Sequence, residues 1–298
     1  LARADQLMTL LVISPDYASH YGPLAVIAHS VQQSGQRVVI ATGHSLRSRV
    51  EAEGFEWREL CLAASSNTGV VAKDEAIERF LTATRKGALD TIRYQSMRRQ
   101  IDLLWKPEQV VAAIASLHRD IEPDEVLVDH VSFASTLAMY ALGKSFITLV
   151  PGHPSQLPVA EERYGIPAEW PVCLSPKAQQ LREVEQLADT VTSAFTQRWN
   201  AVLATIAPDR PPVEDAFRVH GRRVLFNSVS RYHNPVRSLA LTFDHRFVGP
   251  LVREEILPEK WASWRHQKSN RPQVYVALGT FLSHRADVLK HIAEALRK

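Results

Sequence analysis

The stretch TLLVISPDYASHYGPLAVIAHSVQQSG, Thr9 to Gly35, decides how the rest of the chain reads. Residues 10–13 form an apolar run short enough for a buried strand. Leu24, Ile27 and Val31 then fall on one face of a helix that Gly35 closes. Between the two lies a turn-rich loop ending in His20, with Pro23 three residues on. Proline is favoured in the first turn of a helix, where it forfeits no hydrogen bond. His20 is therefore expected just before the helix N-terminus, at the carboxyl edge of the first strand, where open α/β sheets place their chemistry.

Outward from this unit the same alternation continues. RVVIAT, residues 37–42, is a β-branched run typical of a buried parallel strand; a short helix over 45–53 ends at Gly54, and 56–60 is a further strand. This succession begins a doubly wound, parallel α/β sheet. Residues 61–72 are small and polar, as in a mobile loop beside a ligand. Helical periodicity fills 73–119, with Pro107 starting a helix through Leu117, and this block is expected on one face of the sheet. EVLVD, residues 125–129, is a strand with Asp129 at its carboxyl end; a helix over 132–142 and a strand over 145–150 complete another crossover. The Pro-rich segment 151–176, which holds His153, Tyr164 and Trp170, is expected to be a lid or a substrate wall. A long amphipathic helix over 176–206 follows, then strands over 223–229 and 246–249. Residues 251–272 lack a clean period and suit a linker, with Trp261 and Trp264 packing within it; 274–278 opens a new strand, followed by Gly279, Thr280 and a helix from Ala286. The expected organisation is a Rossmann-like domain over 1–252, a linker over 253–272, and the first strand and helix of a second, truncated domain over 273–298.

Composition narrows the function classes. A chain of 298 residues that is 45% hydrophobic can bury a large core. Its 35 basic residues are interspersed with 32 acidic ones, for a net charge of +3, so no nucleic-acid partner is expected. Cys61 and Cys173 stand in neither a CxxC nor a zinc-type spacing, which fits a reducing, cytoplasmic setting without disulfides. The N-terminal apolar run is far below the roughly 20 residues that span a bilayer, so no membrane anchor is expected. Residues 1–7 read as a non-native leader, Met8 being the natural start.

His20 and Asp129 make the strongest constellation, because both stand at carboxyl ends of strands that can be sheet neighbours. A His that donates one ring N–H to a carboxylate keeps its other nitrogen free to take a proton from a hydroxyl, and the carboxylate then stabilises the imidazolium. Spacing alone leaves a plainer alternative open, an exposed loop His and a helix-capping Asp.

The sequence around His20, SHYGPLAVIAHSVQQSGQRVVIATG, resembles the amino-terminal signature of the GT-B glycosyltransferases that use nucleotide sugars, the family of small-molecule glucosyltransferases and antibiotic glycosyltransferases. There a G-H-x-x-P turn follows the first strand; here it is Ser19, His20, Tyr21, Gly22, Pro23, with Ser19 in place of Gly. The resemblance runs on through EPDEVLVDHVSFASTLAMYALGKSFITLVPGHP, RFVGPL and VYVALGT. It implies a GT-B acceptor domain in which His20 deprotonates an acceptor hydroxyl, Asp129 orients it, and the sugar transfers with inversion. It also implies donor phosphates near Gly279, Thr280 and Ser19, and a small hydrophobic acceptor against Tyr17, Tyr21, Pro151, Gly152 and His153. The co-substrate is a nucleotide-diphosphate sugar, with no other cofactor, and a homodimer is allowed. The family's His/Gly-rich donor signature is not among these residues, so the chain alone is expected to be inactive. A rival reading is a non-catalytic binding half-protein that needs a separate donor-binding partner.

Other motifs lead elsewhere. Gly43, His44 and Ser45 imitate a nucleophile elbow, but Arg47 replaces its closing Gly, and Ser45 reads as a helix N-cap. No G-x-G-x-x-G, Walker or D-x-D sequence is present, so no dinucleotide, P-loop or metal site is expected. His153 suits either an acceptor contact or a local cap.

Overall fold

The computed structural model describes residues 7–63, 75–252, 259, 272, 274–282 and 284–297. At its centre β1 (Thr9–Ile13) is buried along its whole length. A strand covered on both faces has no reason to alternate, which is why TLLVI reads as a continuous apolar run. Its neighbours are β2 (Arg37–Thr42), β3 (Glu56–Glu59), β4 (Glu125–Asp129), β5 (Ile147–Val150), β6 (Arg223–Phe226) and β7 (His245–Phe247). Together they form one parallel sheet in the order β3-β2-β1-β4-β5-β6-β7. The order reverses between β1 and β4, whose register sets Ile13 beside Val128. That reversal is the crevice where doubly wound sheets hold ligands.

Successive residues of each central strand feed different cores. Leu10, Val12, Val38, Ile40 and Leu127 pack under α1 (Ala18–Gln33) and α2 (Arg47–Ala52). Leu11, Ile13, Val39, Ala41, Val126 and Val128 face the larger core, built with α5 (Pro107–Ile121), α6 (Phe133–Ala141) and α7 (Ala178–Ile206). α3 (Glu75–Lys86) and α4 (Ala88–Asp102) lie beyond α7, with Leu89 and Ile92 against Val184 and Ala188. The larger core is aromatic at its heart. Phe195 stacks on Phe217 at 4.3 Å, Tyr164 stacks on Phe217 at 4.1 Å, and Phe133 meets all three edge-on. Such pairs are each worth about 0.5–1.5 kcal/mol beyond their burial. Through Tyr164 they pin the Pro-rich segment to α7.

Several expectations need correcting. α1 starts at Ala18, so His20 is its third residue and Pro23 lies inside the helix. The helix continues through the proline because the preceding residue, Gly22, has no Cβ to collide with the pyrrolidine ring. Residues 274–278 form no strand, and Val274 and Tyr275 are exposed. A strand exists only through ladder bonds to a neighbour, and no described strand lies beside these residues. Two helical segments follow, α9 (Gly279–Leu282) and α10 (Ala286–Ala295). The strand expected over 223–229 stops at Phe226, because Asn227 turns its amide to the Pro151 carbonyl (2.9 Å) and to the Leu251 N–H (2.7 Å). Ser45 does not cap α2; it sits in the 3-10 turn His44–Leu46. The leader over 1–6, the loop over 64–72 and the linker with its tryptophans lie outside the described residues. No described helix is long and apolar enough to cross a membrane.

Candidate functional site

The β1–α1 loop is fastened before it delivers His20. The Ser14 N–H donates to the Ala41 carbonyl at 3.1 Å, continuing the sheet one residue past β1. Asp16 then turns back to β2, where its carboxylate accepts the Ser45 hydroxyl and fills the space above Gly43. A Cβ on Gly43 would stand 2.4 Å from the Asp16 carboxylate oxygen, so only glycine leaves room for this anchor. Tyr17, in extended backbone geometry, opens α1 and puts His20 in the first turn.

From there the His20 Nδ1–H donates to Asp129 Oδ2 at 3.0 Å, across 109 residues of sequence. Asp129 is fully buried at the end of β4, and its other oxygen accepts the Val131 N–H at 2.9 Å. His20 keeps about a fifth of its side chain in solvent. Burial is the largest influence on its pKa and pulls it down; the charge and hydrogen bond of Asp129 together outweigh it, leaving the imidazole above its ordinary 6.5. With Nδ1 committed to Asp129, Nε2 carries the lone pair. The arrangement can accept a proton from a hydroxyl and hold the resulting imidazolium.

His130, the next residue after Asp129, behaves in the opposite way. Burial, slightly offset by its bond to Gln156, pushes its pKa down to about 4. Its Nε2–H donates to the Gln156 carbonyl at 2.9 Å, so it stays neutral beside Asp129 and fixes the start of the Pro-rich segment.

The other expected site residues divide. Tyr17 stands beside the dyad, its ring 5.7 Å from that of His20. Ser19 is exposed in the same helical turn. Tyr21 is instead fully buried in the core under α1, with its hydroxyl donating to Glu53: position four of a helix turns inward when position three turns to the sheet edge. Pro151 and Gly152 continue β5, two strands from β1, and the Gly152 N–H donates to Gln156 Oε1 at 3.2 Å. His153 caps the 3-10 turn Pro154–Gln156, Nδ1 accepting the Ser155 N–H at 3.3 Å, the local role that sequence left open. Gly279, at φ 71°, and Thr280 open α9.

Sequence reasoning missed what holds the Pro-rich segment. Arg237 of α8 (Pro235–Ser238) donates to Glu162 through Nε (2.7 Å) and Nη2 (3.0 Å), and from Nη2 to the carbonyls of Pro154 (3.1 Å) and Leu157 (2.7 Å). Arg218 donates to the carbonyls of Ala160 (2.6 Å) and Glu162 (2.9 Å). Nothing local marks these partners, which lie 56 to 83 residues apart. The segment thus forms a wall rather than a loose lid. Behind it opens a cleft of about 1200 Å³, lined by Gln156, Tyr164, Trp170, His233 and Arg237 among others, but not by His20 or Asp129.

Comparison with solved structures bears on the fold. The spinosyn forosaminyltransferase SpnP matches over 97% of this chain at 17% identity with a TM-score of 0.53. The chain has the GT-B glycosyltransferase fold. Weaker likenesses include VinC, solved in complex with dTDP (15% identity, 89% of this chain, 58% of VinC, TM-score 0.49). SsfS6 of Streptomyces sp. SF2575 is a third (15% identity, 89% of this chain, 60% of SsfS6, TM-score 0.47). The chain spans 62% of the length of SpnP. No family model and no curated protein matches the sequence. In this GT-B fold the dyad occupies the carboxyl edge of β1 and β4, at the strand-order reversal.

Proposed function

We propose that this chain supplies the acceptor side of a glycosyltransferase, with His20 as the base that removes a proton from an acceptor hydroxyl. The observation that carries the reading is the 3.0 Å bond from His20 to a buried Asp129 at the carboxyl edge of two adjacent parallel strands. The neutral imidazole takes the hydroxyl proton on Nε2, and Asp129 stabilises the cation so formed. The freed oxygen attacks the anomeric carbon from the face opposite the nucleotide, the new C–O bond forms as the bond to the diphosphate breaks, and the configuration inverts. Nucleotide diphosphate leaves with the electron pair.

SpnP, by its name a forosaminyltransferase, supports sugar transfer as the reaction class through its shared fold. Ser19 lies in the first turn of α1, which holds no acidic residue, so the positive end of this helix faces outward beside the dyad, suited to the donor's phosphate charge. Gly279 and Thr280 are the second proposed donor contact. Tyr17 and the β5 end, Pro151 and Gly152, flank the acceptor, taken to be a small hydrophobic alcohol.

The test is transfer by the full gene product that contains this chain, using UDP- and dTDP-sugars with 2-naphthol as the acceptor. Wild type should yield the glycoside of inverted configuration, and His20→Ala should lower kcat by about 10²–10⁴-fold. Undiminished turnover in His20→Ala would remove the base assignment.

A further inference from the structure

We infer that His130 is a positioning residue for sugar transfer, the link that fixes where the wall over residues 151–157 stands relative to the His20 base. The inference deepens the transfer reading and rests on it, since Pro151 and Gly152 at the start of that wall are the proposed flank of the acceptor.

The sheet sets the place of His130 first. Its backbone N–H donates to the Leu149 carbonyl at 2.8 Å, continuing the β4–β5 ladder one residue past Asp129. Alternation along β4 sends Asp129 to the α1 face with Leu127, where it meets His20. The same alternation sends His130 to the face of Val126 and Val128, where its ring meets Phe133 edge-on at 5.4 Å. Two adjacent residues at one strand end thus serve the base and the wall.

The His130 side chain is 1% exposed, and its two ring nitrogens differ. Nε2–H donates to the Gln156 carbonyl at 2.9 Å, whereas Nδ1 is buried without a hydrogen-bond partner. An orphaned buried nitrogen is a cost that Phe or Leu would not carry against Phe133, so packing does not account for a histidine here. The bond to Gln156 does. Burial also keeps the ring neutral, so it takes no share of the Asp129 charge that raises His20.

Gln156 passes the constraint on. Its Oε1 accepts the Gly152 N–H at 3.2 Å, and a Cβ on Gly152 would stand 2.6 Å from its amide nitrogen. By holding Gln156, His130 therefore holds the turn that follows β5. Arg237 and Asn227 fasten the same segment from α8 and from the end of β6. His130 fastens it to the strand that ends in Asp129. An acceptor hydroxyl has to reach His20 Nε2 while the rest of the acceptor leans on the wall, so the spacing between the two governs the rate. A misplacement of about 1 Å can cost about 10²-fold.

The test compares variants of the full gene product that contains this chain, with UDP- and dTDP-sugars and 2-naphthol. His130→Phe keeps a ring against Phe133 and removes the donor. His130→Gln loses the ring but puts an amide N–H where Nε2 stood. His130→Phe should lower kcat about 10–10²-fold, and His130→Gln should recover most of that loss, the reverse of the order that packing alone would give. Gln156→Ala, which releases Gly152 and leaves the buried ring alone, should lower kcat as His130→Phe does. By NMR of the same proteins, His130→Phe should leave the His20 pKa where wild type has it and speed exchange of the Gly152 amide. The inference is overturned by full kcat in His130→Phe or Gln156→Ala, by higher activity in His130→Phe than in His130→Gln, by a changed His20 pKa, or by an unchanged Gly152 amide. A wild type that forms no glycoside overturns the transfer reading and this role with it, whereas an active wild type matched by its His130 variants overturns this role alone.

Discussion

Replacing Arg237 with Met should cost far more than a typical surface substitution, and the structure shows why. The Arg237 and Glu162 side chains are only 7% and 16% exposed and meet through two bonds, at 2.7 and 3.0 Å. Met fills most of the volume but leaves the Glu162 carboxylate without its counter-charge. It also strips the Pro154 and Leu157 carbonyls of a donor. Breaking one side of a buried ion pair costs about 3–5 kcal/mol, because the remaining charge is stranded in a poor solvent. For a domain of this size about 2–4 °C of melting temperature accompanies each kcal/mol, so Arg237→Met should melt roughly 6–20 °C lower than wild type. Adding Glu162→Gln removes the stranded charge, and the double variant should regain about 1–3 kcal/mol of that loss. Thermal denaturation of all four species closes the cycle. A single-variant loss below about 1 kcal/mol, or strictly additive losses, would show that this pair behaves like a surface bridge and does not hold the wall.

Phe217→Ala should destabilise by about 3–5 kcal/mol in denaturant unfolding, since the ring is fully buried between Phe195 and Tyr164. Gly221→Ala should fail to give soluble protein or melt well below wild type, as its Cβ would stand 2.1 Å from the Phe146 backbone oxygen; a wild-type melting curve would refute the contact. The His20–Asp129 pair should stabilise the fold in acid. Because the folded pKa of His20 is raised, the stabilisation is fully present below the unfolded value of 6.5 and disappears as pH rises through the folded pKa. His20→Gln should therefore lose stability against wild type below pH 6.5 and converge with it at alkaline pH, which urea melts across pH would reveal.

Legibility in the sequence followed the reach of the physics involved. β1, β2 and β4 were readable because burial on both faces leaves an unbroken apolar run, and α1 and α5 because their apolar residues recur at helical spacing. His20 and Asp129 were legible as candidates because both end strands of one doubly wound sheet, and the choice of a dyad over an unlinked loop His and capping Asp came from the resemblance of the sequence around His20. The start of α1 is not legible from Pro23, because Gly22 makes a proline tolerable in the helix interior. Tyr21, which the resemblance sets against the acceptor, faces the core instead, because one step along a helix turns a side chain by about 100°. Residues 274–278 have strand composition, but no described strand lies beside them to pair with. The clamps through Arg237, Arg218 and Asp16 left no local trace, since each joins residues that only the finished fold brings together.

The most direct test of the dyad is an NMR titration of the His20 imidazole in wild type and in Asp129→Asn. The account predicts a wild-type pKa above 6.5 that falls below 6.5 in the variant, where burial acts without the opposing charge. The same pKa in both proteins, or a wild-type value below 6.5, would contradict it.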